Sequence, residues 1–184
     1  MSEVYLKKAK KTPETGTSET RKIVERMLSE IEIGKETIAK KYASDLDGFN
    51  GDIIVSQESI ENATKMVPEK LKDDIKFAHE RIKKFAEAQK QSISEFETEL
   101  SPGLWAGQKL IPIQTAGCYV PGGRYAHVAS AIMSITTARV AGVENIIACS
   151  APKGEDGPNP AILYTMNYCG ADKILALGGV QAIA

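Results

Sequence analysis

Two short stretches hold the residues whose types and spacing could do chemistry. In "GCYVPGGRYAHVAS", residues 117–130, an apolar run stops at Pro121-Gly122-Gly123, and Arg124, Tyr125 and His127 follow at once. In "LGGVQAIA", residues 177–184, Gly178-Gly179 closes a second apolar run and Gln181 follows. A glycine pair after a strand lets backbone N–H groups approach an anion closely, and a helix starting there adds partial positive charge. Neither stretch is G-x-G-x-x-G or a P-loop, so a plain turn is an equal reading of either one alone. Tyr119 reads either as a core or edge aromatic or as a ring that packs on a cofactor with its hydroxyl free. Gln181 is ordinary at a helix start; at a sheet edge it could reach a ribose or nicotinamide with both a donor and an acceptor. Arg124 and His127 in a first helical turn read as solvated charge, which the helix dipole disfavours. The alternative is a small anion site, since guanidinium and imidazole suit a carboxylate, phosphate or sulfonate.

The remaining candidates are weaker. His79 and His127 are the only two histidines of the 184 residues, and His79 lies beside an apolar helical stripe with no acidic or thiol neighbour at ligand spacing. It reads as a surface or boundary residue. Three cysteines, Cys118, Cys149 and Cys169, form no C-x-x-C, and this sparse, odd set points to reduced thiols in a cytoplasmic protein. Cys118 and Cys149 fall in strands and read as small buried apolar residues. Glu155 and Asp156 in "GEDGPNP" read as turn chemistry. A net charge of −1 argues against a nucleic-acid binder, and no run of 18 apolar residues offers a membrane span.

The elements that must position these residues change character near residue 100. Residues 1–16 form a basic arm, expected to be extended. From Thr17 or Ser18 a broad apolar face of Ile23, Met27, Leu28, Ile31, Ile38 and Tyr42 predicts a helix interrupted near Gly34. "DLDGFNGD" is a turn, "IIVS" a short strand, and "SQESIENATKMV" a helix capped by Ser56. After Pro68, the stripe Leu71, Ile75, Ala78, Ile82 and Phe85 predicts a long helix with one buried face; Lys70, Lys72 and Asp73 lie off it, toward solvent.

Beyond residue 100 the texture is β-rich, with strands expected near Leu104–Gln108 and Ile111–Val120. A helix at about 125–142 follows, then the strand "NIIACSA", a loop, a helix at about 158–169, the strand "KILALGG" and the start of another helix. Strands alternating with helices imply βαβ crossovers and a parallel sheet. The fold class is therefore α/β: a mostly helical N-terminal segment, then an incomplete Rossmann-like parallel domain. Helix-rich residues 17–116 and Rossmann-like residues 117–184 are the expected division. The loops after Val120, at Pro152–Pro160 and at Gly178-Gly179 should share one edge, where open α/β sheets bind ligands. "VQAIA" is about one turn of an apolar helix, so the chain is expected to be the N-terminal piece of a longer protein.

"SPGLWAGQKLIPIQTAGCYVPGG", "SAIMSITTARVAGVENIIACSAP", "NPAILYTMNYCGADKI" and "LGGVQAIA", in that order, resemble the histidinol dehydrogenase family. The resemblance implies zinc- and NAD-dependent oxidation of a primary alcohol to a carboxylate by two hydride transfers, in a homodimer of several domains. It makes Tyr119 and Gln181 NAD contacts, with Gly122, Gly123, Gly178 and Gly179 in the same cofactor loops. It puts the zinc ligands and a catalytic Glu/His pair beyond Ala184, so these residues alone should be inactive. "PGGRYAHVASAIMS" and the arm "VYLKKAKK" are more similar to the sulfopropanediol dehydrogenase branch, which oxidises 2,3-dihydroxypropane-1-sulfonate to sulfolactate. Ala129 stands where the family commonly has the first serine of a pair, and Ser130 is kept. Arg124, His127 and Ser130 are then the candidate substrate contacts, because a sulfonate gains from an added arginine and cationic histidinol does not. A histidinol substrate and a non-catalytic ligand-binding module are the alternatives.

Overall fold

The structure, a computed structural model, describes residues 18–122 and 125–184. The arm at residues 1–16, Gly123 and Arg124 lie outside the described residues.

Three helices lead: α1 (Ser18–Asp47), α2 (Gln57–Met66) and α3 (Glu69–Gln91). The interruption in α1 falls where the glycine predicts it. Lys35, next to Gly34, leaves helical geometry at φ 51°, ψ −138°. Met27, Ile31, Ala39 and Ala43 are buried, whereas Ile23 and Leu28, expected on the apolar face, are exposed. Ser56 caps α2, its hydroxyl accepting from the Ser59 N–H at 3.1 Å.

Along α3, Ile75 and Ala86 are buried, and Leu71, Ala78 and Ile82 pack against the main core. Phe85 is 64% exposed, a correction to the stripe: Ala86, one position on, turns inward instead. Lys72 also departs from the expected solvent face. Its side chain is only 13% exposed, with the ammonium on Glu69 and 5.9 Å from the centre of the Tyr164 ring.

A hairpin follows, β1 (Phe96–Ser101) paired antiparallel with β2 (Leu104–Gln108). Its turn is Pro102-Gly103, with Gly103 at φ +82°, a conformation that glycine adopts freely. The sequence reading placed β2 and missed β1. Every residue of both strands is exposed.

The sheet proper is β3 (Thr115–Tyr119), β4 (Asn145–Cys149) and β5 (Lys173–Leu175), all parallel in the order β3-β4-β5. The expected strand at 111–120 is shorter than predicted, since pairing with β4 begins only at Thr115. "IIVS" makes one antiparallel bridge, Ile54 opposite Leu175, with bonds from Val55 N to Ile174 O and from Ala176 N to Ile53 O.

Between β3 and β4 the helix runs as α4 (Val128–Ala131), a π-helical stretch at Ile132–Thr136 and α5 (Thr137–Ala141). The chain then passes β4, a short 3₁₀ turn at Gly154–Asp156, α6 (Pro160–Tyr168), β5 and α7 (Gly179–Ile183). The core is shared across the chain. Ile60, Val67 and Ile75 of the helical segment pack with Val120, Ile135, Ile146, Ile162 and Ile174. A second, smaller core of Ala39, Ala43, Ile53 and Leu177 docks the end of α1 on the segment after β5.

Arg139 and Asp172 fasten the sheet's amino end. The guanidinium donates to the carbonyls of Val143, Glu144 and Gly170 and to Asp172 Oδ2 at 2.7 Å. The same carboxylate oxygen accepts the Ile146 N–H at 2.7 Å. These bonds tie the end of α5 to the starts of β4 and β5.

Candidate functional site at the carboxyl edge of the sheet

Strand register puts the candidate loops level. Tyr119 pairs with Cys149, and Cys149 with Leu175, so the three strands end on one line. Bonds just past them, Val120 N to Cys149 O at 2.8 Å and Ser150 N to Leu175 O at 3.1 Å, hold the exits of β3 and β5 against β4.

At this edge the phenol of Tyr119, a 37% exposed residue, accepts the Gly179 N–H at 3.4 Å. Gly179 opens α7 at φ +58°, where a side chain would be strained. Gly178 is extended, and its need for glycine is steric. A Cβ there would lie 2.5 Å from Ala151 Cβ. A Cβ on Gly122 would lie 2.9 Å from Ser150 Oγ and 3.0 Å from Ala151 O. Gly122 and Gly178 thus flank the exit of β4 and let both outer loops close on it. This packing gives each of them a reason to be glycine without a ligand.

The sequence leaves Gln181 either as an ordinary helix-start residue or as an edge residue able to reach a ligand. The structure turns it inward: it is 5% exposed, and its Nε2 donates to Asp47 Oδ2 at 3.0 Å. Its Oε1 is buried and has no hydrogen-bond partner, as does Ser150 Oγ. A Cβ on Gly179 would stand 3.1 Å from that Oε1, so the amide oxygen faces the Gly179 backbone. Burial pushes the Asp47 carboxyl above its ordinary range, with the Gln181 bond acting the other way. Sequence reasoning missed Asp47. It stands in "DLDG", which reads as a turn, and only the docking of α1 on α7 gives it a partner 134 positions away.

Two of the substrate candidates, His127 and Ser130, are bonded within their own helix. His127 is exposed at the start of α4, where its carbonyl accepts from the Ser130 and Ala131 N–H groups. Ser130 is half-buried, and its carbonyl accepts from the Ser134 hydroxyl at 2.8 Å. No side-chain bond joins His127 or Ser130 to Tyr119 or Gln181 among the described residues. Gly123 and Arg124, the other two candidates here, lie outside those residues.

The edge can therefore offer a tyrosine hydroxyl and an amide oxygen. A buried amide oxygen without a donor, Gln181 Oε1, and a buried hydroxyl without a partner, Ser150 Oγ, suit a ligand that carries hydroxyl and amide groups, and NAD carries both, so the residues present fit that cofactor. They do not fit zinc. Among the described residues no group of three or more His, Cys, Asp and Glu could hold a metal ion. All three cysteines are free and buried, and burial raises their thiols, Cys149 and Cys169 to about 11. Such thiols stay protonated at neutral pH and serve poorly as nucleophiles. The Glu155–Asp156 loop borders a pocket of about 260 Å³ with Phe49, Ile54 and Ser56. An apolar groove of about 1110 Å³ lies between the end of α3, residues 110–113 and α5; Cys118 lines it, and none of the cofactor or substrate candidates does. No helix of the described residues is long and apolar enough to cross a membrane.

Comparison with known proteins gives this geometry a setting. The sequence model of the histidinol dehydrogenase family matches residues 10–184. A histidinol dehydrogenase homolog of Pelagibacter ubique is 56% identical over 185 aligned positions, which cover 100% of this chain and 43% of the relative. The sulfopropanediol 3-dehydrogenase of Ruegeria pomeroyi is 51% identical, covering 98% of this chain and 41% of the relative. The crystal structure of histidinol dehydrogenase from Elizabethkingia anophelis superposes with a TM-score of 0.86 at 31% identity, over 93% of this chain and 39% of that one. The chain thus spans about two-fifths of the length of the proteins it matches.

Proposed function

The chain belongs to the histidinol dehydrogenase family, whose members are dehydrogenases, and we propose that it forms the NAD-binding edge of a longer, NAD-dependent alcohol dehydrogenase. The observation that carries this reading is the buried, unpartnered Gln181 oxygen beside the Tyr119–Gly179 contact. NAD, when bound, supplies the hydride acceptor. The residues of this chain do the binding and orienting: Tyr119 offers a hydroxyl at the exit of β3, Gln181 an acceptor at the start of α7, and the glycine loops bring the two together. Overall, a primary alcohol and one water give a carboxylate, and two hydrides leave on two NAD molecules with three protons released. The general acid–base groups for those protons and the zinc site belong to other parts of the full-length protein. The 184 residues alone are inactive on this reading, and the full-length protein is a homodimer.

The substrate we propose is 2,3-dihydroxypropane-1-sulfonate, oxidised to sulfolactate. Arg124 with His127 just past the glycine pair supports it. The 51% identity to a sulfopropanediol 3-dehydrogenase is compatible with it but stands beside 56% to a histidinol dehydrogenase homolog, so identity does not separate the two substrates. Fixed positive charge beside the substrate favours a sulfonate and disfavours a cationic amine. L-histidinol is the second reading, favoured by the family match itself.

The test is a substrate panel on the full-length protein with NAD, comparing the sulfonate with histidinol, before and after Arg124→Ala. The expected result is turnover of the sulfonate and a loss of about tenfold or more in kcat/KM for it in the variant. Efficient turnover of histidinol with the sulfonate ignored would refute the assignment. Equal losses on both substrates would remove Arg124 from substrate selection.

A further inference from the structure

We propose that Asp47 is a positioning residue for the ligand edge: by taking the Nε2–H of Gln181 it fixes the orientation of that amide and commits its oxygen to accepting from a donor on the bound ligand. The inference rests on the NAD reading above and deepens it.

The argument starts from the two-sidedness of an amide. A glutamine has a donor end and an acceptor end of nearly equal size, and only its partners decide which end points where. Asp47 is a carboxylate at the end of α1 and, ionised, can only accept. Its Oδ2 lies 3.0 Å from Gln181 Nε2. The flipped amide would set oxygen against oxygen, a repulsive contact. Gln181 is 5% exposed, so water cannot substitute for either partner at low cost. The oxygen is consequently fixed on the other side, against the Gly179 backbone and without a partner. Gly179 is also the residue whose N–H meets the Tyr119 hydroxyl.

The chemistry of the ligand group follows. An amide oxygen accepts only, so the group that meets it carries a hydrogen: a ribose hydroxyl or a carboxamide N–H. A pyrophosphate, which has no donor at neutral pH, is excluded from this contact. The small core of Ala39, Ala43, Ile53 and Leu177 makes the device rigid, because it docks α1 on the segment that leads into α7. Asp47 itself need not touch the ligand.

A double-mutant cycle on the full-length protein tests this, with NAD binding read by calorimetry without substrate and melting read without NAD. Gln181→Leu is expected to weaken NAD binding about tenfold, the scale of one hydrogen bond in a buried setting. Asp47→Ala should weaken it by a similar factor. In the Gln181→Leu background, Asp47→Ala should add less than about a factor of two, because the two residues act as one unit. Asp47→Asn keeps an acceptor for Nε2 and should recover most of the affinity. The outcomes separate cleanly. If Gln181→Leu weakens binding and Asp47→Ala does not, the positioning role is overturned and the NAD reading stands. If the Asp47→Ala loss persists in the Gln181→Leu background, Asp47 acts through the fold and the proposal is overturned. If NAD binds and Gln181→Leu leaves its affinity unchanged, or NAD does not bind the wild type, the reading of the edge fails and takes the proposal with it.

Discussion

The Tyr119 hydroxyl and the Gly179 amide, 60 positions apart in sequence, meet at 3.4 Å across the carboxyl edge of the sheet. The contact joins the exits of the two outer strands over the top of the middle one. It is long and partly exposed, so it contributes little to stability. Tyr119→Phe is expected to cost about 0.5 kcal/mol in urea unfolding, while NAD binding by the full-length protein falls about fivefold. A large loss of stability with unchanged NAD affinity would make Tyr119 a structural residue only.

The glycines on either side of Ala151 should fail for a steric reason that can be reversed. Gly178→Ala puts a methyl 2.5 Å from Ala151 Cβ and is expected to destabilise the fold by about 2 kcal/mol. Ala151→Gly removes the other partner, so the double variant should melt within a few degrees of wild type. If the double variant is no more stable than Gly178→Ala, the clash is not the cause.

These two glycines also show what sequence could and could not reveal. The double-glycine pattern and the strand order put both loops on one edge. The reason each is a glycine lies at the exit of β4, in Ser150 and Ala151 for Gly122 and in Ala151 for Gly178, which no local pattern ties to them. Ser56 was legible because a cap is a matter of four adjacent residues. Strand β2 was found to the residue and β1 was not; both are exposed at every position, so burial does not distinguish them. Gln181 was legible as a candidate, but its burial was not. Its inward turn depends on Asp47, which comes near only when α1 packs on α7. The π-helical stretch at Ile132–Thr136 leaves no mark in an apolar, β-branched run that reads as plain helix.

Arg139 and Asp172 give a prediction with a pH sign. The Ile146 N–H, then the Arg139 guanidinium, hold the Asp172 carboxyl below its ordinary range. A carboxyl lowered on folding contributes stability that is present above its unfolded pKa and is lost as pH falls through the folded one. Asp172→Asn should therefore lower stability near neutral pH and flatten the acid side of the stability curve below about pH 4. Urea midpoints at several pH values would read this, and a variant curve parallel to wild type would refute it.

Arg139→Ala should cost more than the loss of that ion pair. It strips a donor from the carbonyls of Val143, Glu144 and Gly170 as well, and the expected loss is about 2–3 kcal/mol. Arg139→Lys should recover less than half of this, because a single ammonium cannot span four acceptors. Full recovery by lysine would mean that charge, and not the planar fork, is what the site needs.

The cysteines should be silent until the chain unfolds. All three are buried, with Cys149 and Cys169 raised to about 11, so at pH 8 both are almost wholly thiol and shielded. Cys118 is raised as well, by burial in β3. A disulfide reagent at pH 8 should label no thiol of this segment rapidly in the folded protein and three in denaturant, with peptide mapping to assign them. Fast labelling of Cys149 under native conditions would have a specific meaning. That residue ends β4 directly below the loops of the ligand edge, so its reactivity would show that those loops open on the timescale of the reaction, and added NAD should then slow it.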